Sequence, residues 1–262
     1  AGIGHGHYIF RSESGTDSWN LFAHSECCAY TEFGVPGPSP LNVLDSFLPK
    51  DERFPPRDEG SWAEHHAFRA WDGHRESWLM LSQVKEIVGE PESLEQLVEY
   101  GQLLQAQGLK HLFEEARRQK PRSAMALNCC FNEPWPNAAN NSLIAWPAEP
   151  KPALRSVGQS LQATVPSARV RKFVWRPGST FEARLWMFHD PVEALPNFHV
   201  TARLKWSGGE LQPQTWDVPG LEPQKHLQGP TFAWVLPTDI DRFHLQLECC
   251  HSSNEYIFLI RP

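Results

Sequence analysis

Residues 123–136 read SAMALNCCFNEPWP. Until Asn132 and Glu133 the segment is apolar on both faces, which is how a parallel strand buried between two layers reads. The preceding segment, 94–119, is a long helix by pattern, with Leu94, Leu97, Val98, Leu104, Leu112 and Phe113 on its buried side. Ser93 and Gln96 form a capping box at its start, and Pro121 stands just beyond its end. Further upstream, residues 73–88 repeat apolar positions at Trp78, Leu81, Val84 and Val88 and meet a stop at Gly89. A second buried strand is expected over 22–33 (FAHSECCAYTEF), followed by a Pro/Gly-rich loop. On the other side of 123–136, Glu149-Pro150-Lys151-Pro152 opens a last helix over about 151–163. Strand, helical connection, strand, helix is the order of a (β/α) barrel or an open α/β sheet, in which ligands sit at the carboxyl ends of strands.

Near residue 165 the pattern changes to period two. Val200, Ala202, Leu204 and Trp206 alternate with His199, Thr201, Arg203 and Lys205, and Phe243, Leu245, Leu247 and Cys249 repeat the scheme. Further strands are expected at about 170–175, 180–189, 231–236 and 255–260, separated by turns such as Arg176-Pro177-Gly178 and Pro219-Gly220. About seven short strands without a helix predict an immunoglobulin-like β-sandwich. The expected fold class is therefore α/β followed by all-β: residues 1–164 form the last strands and helices of a (β/α)₈ barrel, and residues 165–262 a C-terminal immunoglobulin-like sandwich.

Composition narrows the function classes. The chain has 262 residues, 40% hydrophobic and 21% charged, with 11 Trp and 15 Phe, which is globular rather than disordered. Its net charge of −7 and the lack of a basic footprint argue against nucleic acid as a partner. No stretch approaches the ~18 uninterrupted apolar residues of a membrane span. The six cysteines occur as Cys27-Cys28, Cys129-Cys130 and Cys249-Cys250; neighbours on a strand point to opposite faces, so all three pairs are expected to be small fillers of buried strands. His5-Gly6-His7 and His65-His66 lack a third ligand at suitable spacing, so no metal site is expected.

Two carboxylates stand where hydrophobic strands give way to loops, Glu32 and Glu133. Around Glu133, Asn132 supplies an amide and Trp135 a flat apolar face, a set suited to sugar hydroxyls and to the C–H face of a sugar ring. Trp62, His65, His66 and Trp71 in the long 51–72 loop either extend that wall or form a small core of their own. Glycosidic cleavage needs two carboxyl groups, and by residue type alone Glu32 and Glu133 are the natural pair.

Tyr30-Thr31-Glu32-Phe33-Gly34 resembles the Ser/Thr-Glu-Phe/Tyr-Gly segment of family 2 glycoside hydrolases, which include β-mannosidases, β-galactosidases, β-glucuronidases and exo-β-glucosaminidases. Cys129-Cys130-Phe131-Asn132-Glu133-Pro134-Trp135-Pro136 with Lys151-Pro152-Ala153 is similar to that family's eighth-strand motif, Trp-Gln-x-Asn-Asp/Glu-x-Trp-Pro, and the Pro-Lys-Pro-Ala that follows it. The helix carrying Gln102, Gln105, Gly108, Leu109 and Arg117-Arg118 matches the family's penultimate helix. The resemblance implies that Glu32 is the nucleophile on the seventh strand. It places Asn132, Glu133 and Trp135 in substrate binding on the eighth, moving Glu133 from catalysis to binding. It implies a carbohydrate substrate and neither cofactor nor metal. Cys129 and Cys130 replace the motif's Trp and Gln.

The family's acid/base glutamate lies in an Asn-Glu pair well upstream of the nucleophile, and the 31 residues before Glu32 contain no such pair. A complete barrel needs ~250 residues, more than 1–164 supply. The chain is thus expected to be the C-terminal fragment of a retaining exo-acting β-glycoside hydrolase, inactive alone. Its exposed barrel edge is expected to be covered by the missing N-terminal part or by another copy. The alternative expectation is a non-catalytic carbohydrate-binding or structural module derived from such an enzyme.

Overall fold

A computed structural model describes residues 2–69 and 78–262. It is a mixed helix and strand structure, mostly β. The chain divides into two units, one of residues 1–112 with 121–157 and one of 113–120 with 158–262.

In the first unit, β1 (Gly2–Tyr8), α1 (Ser18–Ala23), β2 (Cys27–Gly34) and β3 (Gly37–Pro38) are followed by α2 (Leu41–Phe47), α3 (Gly60–Glu64) and α4 (Leu81–Ile87). Then come α5 (Leu94–Arg118, whose residues 113–118 belong to the second unit), β4 (Met125–Asn128), β5 (Ala139–Asn140), β6 (Ile144–Ala145), β7 (Glu149–Pro150) and α6 (Pro152–Ser160, whose last three residues belong to the second unit). Strands β1, β2 and β4 form one parallel sheet with β2 at its centre. The register sets His5 beside Glu32, Tyr8 beside Gly34, and Phe33 beside Asn128. β4 is the strand expected within 123–133, and it is parallel to β2. The expected burial of both its faces is corrected: Met125 is 39% and Leu127 50% exposed, because β4 is an edge strand whose Met125 and Leu127 face is only partly covered among the described residues. The strand expected from residue 22 begins at Cys27, since residues 18–23 form a helix that packs Phe22 flat on Tyr30 at 4.1 Å. β1 had no sequence signal, because glycine at positions 2, 4 and 6 weakens the strand pattern. Of the helix expected over 73–88, residues 73–77 lie outside the described residues, and the remainder gives α4.

Helix α5 starts as its capping residues dictate. Ser93 Oγ accepts the Gln96 N–H at 3.3 Å, while Gln96 Oε1 reaches back to the N–H of Glu92 at 2.8 Å, one residue before the reciprocal partner of a standard box. Beyond Gly101 the helix is buried all round rather than on one stripe. Its glycines permit close approach: a Cβ at 101 would stand 2.4 Å from Pro38, and one at 108 would stand 2.9 Å from Val35. Gln102 and Gln105, polar but buried, donate to the carbonyls of Pro38 (3.1 Å) and Asn140 (3.1 Å), so the helix holds the loops that follow β2 and β4.

The second unit contains β8 (Thr164–Arg169), β9 (Val174–Trp175), β10 (Thr180–His189), β11 (Phe198–Trp206), β12 (Gly209–Glu210), β13 (Gln214–Val218), β14 (Leu227–Val235), β15 (Arg242–Glu248) and β16 (Ser253–Ile260). One sheet has the order β14-β10-β8, the other β12-β11-β15-β16-β9 with β13 also on β11. Period two is obeyed: Phe181, Ala183 and Leu185 are fully buried between exposed Glu182 and Arg184. Between the two sheets Phe181 meets Phe243 edge-on at 5.0 Å and Phe258 at 5.2 Å. β8 and β13 escaped the sequence pattern; Pro166 and Ser167 interrupt the first.

A fully buried carboxylate anchors this unit. Glu114 accepts hydrogen bonds from Tyr256 Oη (2.6 Å), Ser167 Oγ (2.5 Å), Asn254 Nδ2 (3.0 Å) and Ser160 Oγ (3.2 Å), with Arg118 at 3.4 Å. Burial and the neighbouring negative charge push the Tyr256 phenol up, so it stays a donor. Glu114→Ala strands these donors in the interior and is expected to cost about 3–5 kcal/mol in chemical denaturation, against about 1–2 kcal/mol for Tyr256→Phe.

Asp190 carries the unit's clearest acid dependence. Burial raises its pKa, but hydrogen bonds from Lys120 (2.7 Å) and His226 (3.0 Å) and the charge of Arg117 (2.8 Å) outweigh this and bring it down to about 2 from an ordinary 3.8. A depressed carboxylate stabilises the fold above its unfolded pKa and loses that contribution as pH falls through the folded one. Equilibrium unfolding of the wild type should therefore lose stability between about pH 4 and pH 2, and Asp190→Asn should flatten that decline.

Candidate functional site

The site begins at the carboxyl end of β2. Phe33 turns inward, fully buried, and meets Phe22 edge-on at 5.4 Å; strand alternation then turns Glu32 to the other face, where its side chain is 35% exposed. There Glu32 lies beside the Cys129 thiol, just after β4, and the Tyr8 hydroxyl at the end of β1. Their donation outweighs partial burial and holds the Glu32 carboxyl below the usual range, with a smaller contribution from His5, whose Nε2 lies 3.6 Å from Oε2. The reciprocal effect falls on the donors. Burial, then the adjacent carboxylate, pushes both the Tyr8 phenol and the Cys129 thiol well up, so each keeps its proton. The arrangement is a single ionised carboxylate with neutral donors on it.

Tyr8, His5 and Cys129 were not among the expected site residues. Tyr8 and His5 arrive through a strand that glycine hides from the periodicity, and Cys129 read as core filling. The cysteines are corrected throughout: Cys130 and Cys250 are exposed and the other four are partly exposed, because the strands carrying them have an open face or end at these residues.

Glu133, the other strand-end carboxylate, lies elsewhere. It is 2% exposed and pairs with the fully buried Lys151 ammonium at 3.2 Å, with Ser142 Oγ as a close donor and the Trp146 N–H at 3.4 Å. Its oxygens are thus taken by protein groups. Lys151 also donates to the carbonyls of Gly37 and Asn140, each at 3.2 Å. Burial lowers the Lys151 pKa and Glu133 opposes that shift; three acceptors around one ammonium favour the charged form.

Asn132 and Trp135 lie on the loop leaving β4, stitched in place by Leu143 N–H to Phe131 O (3.0 Å) and Glu133 N–H to Ile144 O (3.1 Å). Asn132 is exposed, and Trp135 is 37% exposed. His65 stacks between Phe47 (3.7 Å) and Trp135 (5.2 Å, 16° between planes), and its Nδ1–H donates to Pro136 O at 2.5 Å. His66 meets the same indole edge-on at 5.2 Å. His65 therefore backs the indole. Trp62 is 1% exposed with its Nε1–H on Glu52 O at 2.8 Å, so it belongs to the loop's own small core. Trp71 lies outside the described residues. No helix among the described residues is long and apolar enough to cross a membrane, and no three His, Cys, Asp or Glu among them are grouped to hold a metal ion.

Tyr8→Phe removes one donor from Glu32 and should raise its pKa, read from the pH titration of the Glu32 carboxyl carbon by NMR. Lys151→Met leaves Glu133 buried without its cation and should cost about 3–5 kcal/mol in urea unfolding.

No family model and no curated protein matches the sequence. Solved structures share the fold along nearly the whole chain. The β-D-mannosidase of Dictyoglomus thermophilum matches with a TM-score of 0.69 at 16% identity, over 97% of this chain and 30% of its own. An exo-β-D-glucosaminidase matches with 0.71 at 14%, over 98% and 30%. A second structure of the same enzyme, the exo-chitosanase of Amycolatopsis orientalis, matches with 0.70 at 13%, over 98% and 30%. The chain thus spans about 30% of the length of these β-glycosidases and has the fold of that part of them.

Proposed function

We propose that the chain is part of a retaining, exo-acting family 2 β-glycoside hydrolase, in which Glu32 is the nucleophile. The observation that carries this reading is the placement of Glu32: a carboxylate at the carboxyl end of β2, partly exposed, with His5 Nε2 at 3.6 Å and the Tyr8 and Cys129 side chains beside it, which hold its pKa low. The motif resemblance and the shared fold support it. In the reaction, Glu32 attacks the anomeric carbon and the leaving oxygen departs with a proton from a general acid. The resulting glycosyl ester is then hydrolysed by water that the same acid, now a base, deprotonates. The acid is a carboxyl group ~5–5.5 Å from Glu32, supplied from outside this chain.

Trp135, backed by His65, presents the flat face on which a sugar ring stacks, and Asn132 the amide for its hydroxyls. The role left for Glu133 is to hold the Asn132 loop through Lys151, and for Trp62 to hold the 51–69 loop. Residues 1–164 are read as the end of a (β/α)₈ barrel and 165–262 as an immunoglobulin-like sandwich. The two open edges of the β1-β2-β4 sheet, with Ile3, Met125 and Leu127 exposed, are where the remaining barrel strands, or another copy of the chain, would pair. The reaction calls for no metal or cofactor.

The test is hydrolysis of nitrophenyl β-mannoside and β-glucosaminide by the chain alone and by a polypeptide that also carries the remaining barrel strands. Activity is expected only in the second, and Glu32→Gln should lower its kcat by about 10³-fold or more. Near-normal turnover in Glu32→Gln would sink the assignment, and inactivity of both polypeptides would favour a non-catalytic module.

A further inference from the structure

The two cysteines that depart from the resemblance do more than fill space. Cys129 and Cys130 directly follow β4 with their sulfurs 3.2 Å apart; Cys130 is exposed and the Cys129 thiol lies beside Glu32. The other two adjacent pairs differ. Cys28 Sγ faces Gly2 O at 3.4 Å and Cys249 Sγ faces Ser252 O at 3.5 Å, and among the described residues neither pair makes a sulfur–sulfur contact. A disulfide has an S–S bond of about 2.05 Å, so the 129–130 pair needs a closure of roughly 1 Å.

We propose that Cys129 and Cys130 are an oxidative modification site, converted to an intrachain disulfide by a small-molecule disulfide such as oxidised glutathione, and that the new bond withdraws the thiol donor from Glu32. The exposed Cys130, as thiolate, attacks one sulfur of the glutathione disulfide and expels one glutathione thiolate. Cys129 attacks the mixed disulfide at Cys130 and expels the second glutathione sulfur, which takes up the Cys129 proton. Two protein thiols lose two electrons and two protons, and one glutathione disulfide becomes two glutathione thiols. Cys129 then has no S–H to donate, so the oxidised and reduced states present different carboxylates at position 32. The modification itself stands on the sulfur geometry; its meaning for catalysis rests on the proposed role of Glu32.

The experiment treats the 262-residue chain with oxidised glutathione, alkylates the remaining thiols and maps the peptides by mass. The tryptic peptide beginning at Ser123 is expected to lose two hydrogens and take up no alkyl group, with reversal by dithiothreitol, while the peptides of Cys27-Cys28 and Cys249-Cys250 carry alkyl or glutathionyl groups. Cys130→Ser should hold Cys129 as a thiol or a mixed disulfide. Carbodiimide coupling, which consumes protonated carboxyl groups, should reach half of Glu32 at a higher pH in the oxidised chain. Separate alkyl or glutathionyl groups on Cys129 and Cys130, or a disulfide that leaves the Glu32 profile unmoved, would overturn the proposal. These readouts need no turnover, so failure of the glycosidase reading would show itself separately, in the nitrophenyl assays.

Discussion

The candidate site depends on one ammonium group. Lys151 is fully buried and draws together Glu133, the carbonyl of Gly37 after β2 and the carbonyl of Asn140 in β5. A buried charge that lost these partners would be expensive, so the loops after β2 and β4 are constrained to meet at it. Gln102 and Gln105 add donors from α5 to the same two loops, on Pro38 and Asn140. The cation, its carboxylate and the two amides thereby turn polar loop backbone into part of a packed interior.

On that support the two strand-end glutamates diverge. Glu133 receives a cation and a hydroxyl in the interior and is a structural group. Glu32 stays partly open and receives donors that are themselves held neutral, so its charge is kept low in pKa without being neutralised by a salt bridge of close geometry. An ionised oxygen left available to a ligand is what a nucleophile needs, and this difference separates the two residues more sharply than their similar sequence contexts do.

Much of the fold was legible because it rests on local rules. The cap at Ser93, the Gly89 stop, and the alternation through Phe181, Ala183 and Leu185 depend on short-range periodicity and end chemistry. β1 was not legible, because glycine hides the period and the strand exists through pairing with β2. β4 was legible as a parallel strand but misjudged in burial. Apolar composition shows what a strand tolerates, whereas its exposure depends on whether a neighbour lies over it.

The sequence by itself determined the grammar of two parts, the long capped helix, and Glu32, Asn132 and Trp135 as residues with suitable chemistry near strand ends. Only the tertiary structure decided which of them meet. Tyr8 reaches Glu32 through a parallel strand pairing, and Cys129 through the pairing of β4 with β2 just before it, while Glu133 turns inward to Lys151. Pairing register and burial are sums over long-range contacts, and a residue's own neighbours in sequence carry no record of them.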